Sequence, residues 1–237
     1  MKPFLKKQET NHYYLPCGSC PYCLKRRVNS WAFRLLEEEK ISSSSFFLTL
    51  TYDDKYVPII NNKLTLSKRD LQLYFKRLRK DNSNKIKYYA CGEYGTKTKR
   101  PHYHMILFNA DKNTIEKPWS KDGRSLGNIY FGDVKENSIV YTLKYMNKIK
   151  KDWNDDRLKE FAIMSKGIGL NYINDKMKKW HKADLENRMY CNLKDGKKIA
   201  MPRYYKEKIY DYEERGILKR FHTNLIREKF ENTSENT

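Results

Sequence analysis

No stretch of this 237-residue sequence approaches the roughly 20 consecutive apolar residues that a membrane-crossing helix requires. The start, Met1-Lys2-Pro3-Phe4, lacks the apolar run of a secretory signal. Cysteine is scarce and odd in number, five in all, and three of the five crowd into Cys17, Cys20 and Cys23. That pattern argues against a secreted disulfide framework and for a reducing cytoplasm. There is no Gly-x-x-x-x-Gly-Lys-Ser/Thr phosphate loop, so no helicase motif is visible. No internal repeat is present either, and one main domain with helical additions suits this length. Acidic residues fall short as well: 29 Asp plus Glu against 49 Lys plus Arg leave a formal charge of +20. Such a balance calls for an acidic partner, and nothing favours a membrane surface, which leaves nucleic acid. The lysines are interleaved with 19 tyrosines, as suits a surface that tracks phosphates and stacks bases.

The pattern along the chain sets the framework. A basic, aromatic and extended segment of about fifteen residues leads into the cysteines and then a helix from Leu24 to about Lys40, whose apolar stripe includes Trp31, Phe33, Leu35 and Leu36. Residues 1–40 would pack on the main domain. Phe46 to Tyr52 has the aromatic and β-branched content of a buried central strand. Ser67 is a candidate N-cap, with Asp70 three positions on, for a helix carrying Leu71, Tyr74, Phe75 and Leu78 at i, i+3, i+4, i+7. Ile86–Glu93 and His102–Phe108 read as an antiparallel pair joined by a Gly95-containing turn, followed by a strand near 128–134 and a helix near 138–151. The Gly-punctuated stretch Met164 to Gly169 closes a core of residues 41–170. Beyond it lie an accessory region, 171–230, with a helix over 171–187 and a hairpin turning at Asp195-Gly196, and a disordered tail, 231–237.

Two constellations carry chemistry. His102 and His104 are two apart on a strand, so both imidazoles reach the same face. Two histidines on the wet face of a sheet need no function, but Glu93 ends the preceding strand and folding the turn back brings its carboxylate beside them. Two imidazoles and a carboxylate suit Mg²⁺ or Mn²⁺ on a phosphate oxygen. The second constellation is Tyr141, Lys144, Tyr145 and Lys148, which occupy i, i+3, i+4 and i+7 of one helix face. A phenol of ordinary pKa about 10 needs nearby positive charge to attack phosphorus, and each lysine can serve its own tyrosine. The alternative is an amphipathic basic helix that merely holds DNA. Cys17, Cys20 and Cys23 have spacing suited to a structural Zn²⁺, with His12, Cys91 or Cys191 as fourth ligand; otherwise they pack as small side chains at a helix start.

With these residues in place the chain resembles the HUH endonucleases, and among them the rolling-circle replication initiators of microviruses, gokushovirus type. Phe46–Tyr52 resembles the first family motif, Glu93 with His102 and His104 the metal motif, and Tyr141–Lys148 the tyrosine motif, in the initiator order. Further likenesses are Pro16–Cys20, the Leu71–Lys80 helix and the Met164–Gly169 loop, so the resemblance spans roughly 16–170. It implies an α+β fold, a ferredoxin-like palm of about five antiparallel strands with packed helices, the histidines on a central strand, and a helical C-terminal extension. It also implies nicking of single-stranded DNA at a replication origin, a 5′-phosphotyrosine link, and later rejoining by the second tyrosine. The partners would be the origin strand, a host helicase and a host DNA polymerase, in the cytoplasm of a bacterial host. Outside that class stands a noncatalytic binder of single-stranded DNA or RNA; within it, an HUH transposase or plasmid initiator.

Overall fold

The computed structural model describes residues 17–134, 139, 141–143, 155–193 and 196–234. They divide into two compact units, one of residues 34–170 and one joining residues up to 33 with those from 171 on. The boundary falls inside the first helix, α1 (Pro21–Glu39).

The 34–170 unit is α+β, built on a five-stranded antiparallel sheet. Its strands are β1 (Ser45–Thr51), β4 (Lys87–Tyr94), β5 (Pro101–Phe108), β8 (Ile129–Gly132) and β9 (Phe161–Met164), in the order β8-β1-β5-β4-β9. The histidine strand β5 is therefore central. Short ribbons β2 (Ile59–Ile60) with β3 (Lys63–Leu64), and β6 (Ser120–Lys121) with β7 (Arg124–Ser125), decorate the connections. The strand β9 had no anticipation in the sequence; only four residues long and half-buried throughout, it lacks the alternation that marks a strand, and pairing with β4 creates it.

Alternation divides the sheet into two unlike faces. Leu48, Leu50, Ala90, Tyr103, Met105 and Leu107 point to the side covered by α2 (Lys68–Lys80), which contributes Leu71, Tyr74, Phe75 and Leu78. The helix starts where its sequence says: the Ser67 side chain accepts from the Asp70 N–H at 3.1 Å. A polar seam ties this helix start to the sheet, with Tyr103 Oη donating to Ser67 O at 2.9 Å and Tyr52 Oη donating to Asp70 at 2.9 Å. Burial, then mutual proximity, pushes the Tyr52 phenol far above its ordinary pKa, so it stays a neutral donor. The opposite face carries Thr49, Thr51, Glu93, His102 and His104.

At the end of β1, the Thr51 N–H donates to Asn128 O and the Asp53 N–H to Leu126 O, at 2.9 and 2.7 Å. This close approach runs past Gly127, at φ 157°, where a Cβ would stand 2.2 Å from Thr51 O and 2.7 Å from Asp53 N. Both obstacles are backbone and neither can swing aside. Gly127→Ala should cost roughly 2–3 kcal/mol, the upper range for forced overpacking, read as a lower urea midpoint at unchanged slope. A midpoint equal to the wild type would mean the crossing is looser than described.

The other unit contains α3 (Asp175–Lys182), the hairpin β10 (Tyr190–Asn192) with β11 (Lys198–Ala200), α4 (Arg203–Ile209) and α5 (Tyr212–Ser234). Its core gathers Phe33, Cys191, Ile199, Met201, Tyr205, Ile209, Tyr210 and Leu218. The helix expected over 171–187 is shorter, 175–182, and α5 runs to Ser234, into the segment expected to be a disordered tail. The extended N-terminal segment lies outside the described residues up to 16, as does Asp195 of the expected turn. Among the described residues no helix is long and apolar enough to cross a membrane.

Candidate active site

Register assembles the first three candidate residues. Glu93 on β4 stands opposite His102 on β5, and Cys91 opposite His104, so both histidines and the carboxylate share one face at one end of the hairpin. His102 Nε2 lies 2.7 Å and His104 Nε2 3.1 Å from the same oxygen, Glu93 Oε1. Glu93 and His104 are buried, at 5% and 6% exposure, while His102 is half-buried at the mouth. Burial pushes the Glu93 carboxyl upward, but hydrogen bonds and charge from the two imidazoles outweigh it and hold the group below its usual pKa.

The far side of each ring is also fixed. His102 Nδ1 lies 3.2 Å from Arg100 O, and His104 Nδ1 lies 2.9 Å from Thr49 Oγ1. Arg100 is itself held, by an ion pair to Asp54 and by donation to Tyr52 O at 2.5 Å. A carbonyl can only accept, so His102 carries its proton on Nδ1. Its Nε2 can then face a carboxylate only as imidazolium or with a cation drawing on both groups. The donors Glu93, His102 and His104 lie within 4.8 Å of one another, and this set fits a divalent ion.

A phenol stands beside the cluster. Residues 139 and 141–143 are helical; Ile139, Thr142 and Leu143 are fully buried, at i, i+3 and i+4, and the Cys91 thiol donates to Thr142 O at 3.8 Å. Tyr141 instead keeps 44% of its surface exposed, and its ring lies 5.6 Å from that of His104, edge-on at 78°. Phe47 completes the group, stacked on His104 at 5.8 Å and 9° and edge-on to Tyr141 at 6.2 Å. Lys144, Tyr145 and Lys148 lie outside the described residues.

Residues 45–150, from the start of β1 through the Tyr-Lys stretch, match the family model of the phage replication-associated protein ORF2. The chain is 29% identical to replication-associated protein VP4 of Bdellovibrio phage phiMH2K, over 84% of its own length and 69% of that protein's. It is 28% identical to replication-associated protein ORF2 of Spiroplasma virus 4, over 94% and 75%. The chain is related to phage replication-associated proteins. A third relative, replication-associated protein ORF4 of Chlamydia phage 1, is 26% identical over 81% of this chain and 53% of its own length. No solved structure matches. The matched segment contains all seven residues read as metal or tyrosine chemistry and leaves out Cys17, Cys20 and Cys23.

Those three cysteines also converge, their sulfurs all within 4.8 Å, with Cys17 Sγ and Cys23 Sγ 3.9 Å apart at the start of α1. Backbone N–H donation from Ser19 and Cys20 brings the Cys17 thiol down to about 6. Neither Cys91 nor Cys191 joins them, and His12 lies outside the described residues.

Thr49, Arg100 and Phe47 were not singled out from the sequence. Alternation placed Phe47 and Thr49 on the face opposite Leu48 and Leu50, but only the register of β1 against β5 sets Thr49 across from His104. Arg100 acts through its carbonyl, which no side-chain pattern reveals.

Proposed function

We propose that this protein is an HUH-type replication initiator that nicks single-stranded origin DNA through a tyrosine. The observation that supports it best is the Tyr141 ring at 5.6 Å from His104, whose Nε2 converges with that of His102 on Glu93. A Mg²⁺ or Mn²⁺ ion held by Glu93, His102 and His104 would draw charge from a nonbridging phosphate oxygen. Thr49 and the Arg100 carbonyl keep the imidazoles turned toward that point. The Tyr141 oxygen attacks phosphorus, the P–O3′ bond breaks, the phenolic proton leaves, and the 3′ oxygen ends as a hydroxyl. The strand's 5′ phosphate is then joined to the phenol. Lys144 and Lys148 stabilise the phenolate and the five-coordinate phosphate. Tyr145, one helical turn on, makes the second cut, after which the free 3′-OH attacks its phosphotyrosine and closes the circle.

The released 3′-OH primes a host DNA polymerase, and strand separation falls to a host helicase, in the cytoplasm of the bacterial host. The experiment is to incubate the protein with a single-stranded origin oligonucleotide and Mn²⁺. An SDS-resistant adduct, absent with EDTA and yielding a tyrosine-linked nucleotide on digestion, is the expected result. Binding with no adduct at any divalent ion would leave a noncatalytic single-strand binder.

The sulfur cluster is read as a structural zinc site made by Cys17, Cys20 and Cys23. Protein purified without chelator should carry equimolar zinc and lose it in Cys20→Ser; folded, zinc-free wild type would end that assignment.

A further inference from the structure

A second cluster of charge lies in the unit that contains α4 and α5, far along the chain from residues 45–150. A cleft of about 370 Å³ is lined there by Arg203, Lys206, Arg215, Lys219 and His222. The only carboxylate lining it among the described residues is Glu207, and Arg203 holds that group through Nε at 2.6 Å. Lys206 is half-buried, and among the described residues no ion pair includes it. Burial, then the charge of Arg26, brings its ammonium down to about 8. The His222 imidazole is lowered too, by burial and then by Lys206 and Arg26.

The physical meaning is plain. Cations on three elements, Arg26 on α1, Lys206 on α4 and His222 on α5, repel one another, and the single nearby acid is already engaged. A folded chain keeps such an arrangement at a cost that a bound anion would remove. Arg203 and Arg215 add planar donor forks, which match phosphate geometry better than a lysine patch alone.

We propose that this cleft binds a phosphate group, carried either by the backbone of a nucleic-acid strand or by a free phosphate compound. The proposal stands whether or not Tyr141 cleaves DNA, because no residue of the cleft belongs to the Glu93 and His104 cluster.

The probe is pyrophosphate, compared with chloride at equal ionic strength, on the full chain. Millimolar pyrophosphate should raise the thermal midpoint of the wild type by roughly 2–4 °C through mass action. Lys206→Gln should melt higher than the wild type in chloride, since a repelled charge is gone, and yet lose the pyrophosphate response. A lysine with a merely structural role would show the reverse, a lower midpoint in chloride. Arg203→Gln, at an exposed position, should also weaken the response and serves if Lys206→Gln folds poorly. The source is separated by binding of a labelled oligothymidylate without terminal phosphate. A salt slope reduced by about 0.7 in Lys206→Gln, and less in Lys178→Gln outside the cleft, identifies a strand phosphate. An unchanged slope with a lost pyrophosphate response identifies a free phosphate compound. No response in the wild type, or an equal one in Lys206→Gln, overturns the proposal.

Discussion

Replacing both Tyr141 and Tyr145 by Phe should reduce covalent adduct formation to background, a loss of at least about 10³-fold, because the two phenols are the nucleophiles. Tyr145→Phe alone should keep forming adduct on a minimal oligonucleotide, through Tyr141. The basis is packing. Tyr141 is 44% exposed yet seated edge-on against His104 and Phe47, so its oxygen is open to a strand while its ring is held. Tyr→Phe keeps that ring contact and removes one oxygen, so folding is little disturbed and the midpoint in urea should move by less than about 1 kcal/mol. Affinity for the oligonucleotide in EDTA should also be unchanged, since lysines supply most of it. Tandem mass spectrometry of the Tyr145→Phe adduct should locate the nucleotide on Tyr141. An adduct that survives in the double variant would falsify the assignment of the nucleophiles.

The parts of this fold that were legible are those where burial alternates strongly along the chain. In β5 the alternation of His102 and His104 with buried Tyr103 and Met105 fixes both the strand and the face of the imidazoles. Glu93 was reachable for a topological reason: it closes one arm of a hairpin whose other arm opens at His102, so folding the turn back sets them opposite each other. The α2 helix was equally plain, because Leu71, Tyr74, Phe75 and Leu78 repeat at helical spacing behind a Ser67 cap. What stayed hidden depended on partners remote in sequence. Phe161–Met164 becomes a strand only beside Tyr89–Gly92, 70 residues or so earlier, a separation no local pattern encodes. The helix α5 is long, but only Leu218 along its described side chains is fully buried, so it shows no apolar stripe to read. Near 141 the two tyrosines drew attention, whereas the stripe that seats the turn is Ile139, Thr142 and Leu143, with a threonine among the buried positions.

Glu93→Gln should lower Mn²⁺-dependent adduct formation by at least about 100-fold, the upper end of what losing a group merely adjacent to a metal ligand costs. Shape is nearly conserved and the charge is not. In the folded protein the carboxylate stays ionised against its burial because two imidazoles, at 2.7 and 3.1 Å, stabilise the negative form. A neutral amide offers no charge to a divalent ion, and its NH₂ group must turn toward His102 Nε2, a nitrogen that then accepts a hydrogen bond and is lost as a ligand. Divalent-ion affinity, measured by calorimetry, should therefore fall together with adduct yield. Single-strand binding in EDTA should hold or rise slightly, since a negative charge beside the strand is gone. His102→Ala should give the same division, loss of metal-dependent cleavage with salt-sensitive binding retained. The combination matters because a misfolded variant loses both activities, and a purely DNA-contacting glutamate would change binding first. Normal cleavage by Glu93→Gln at limiting Mn²⁺ would remove this carboxylate from the metal site and leave the two imidazoles to be explained by stacking on bases.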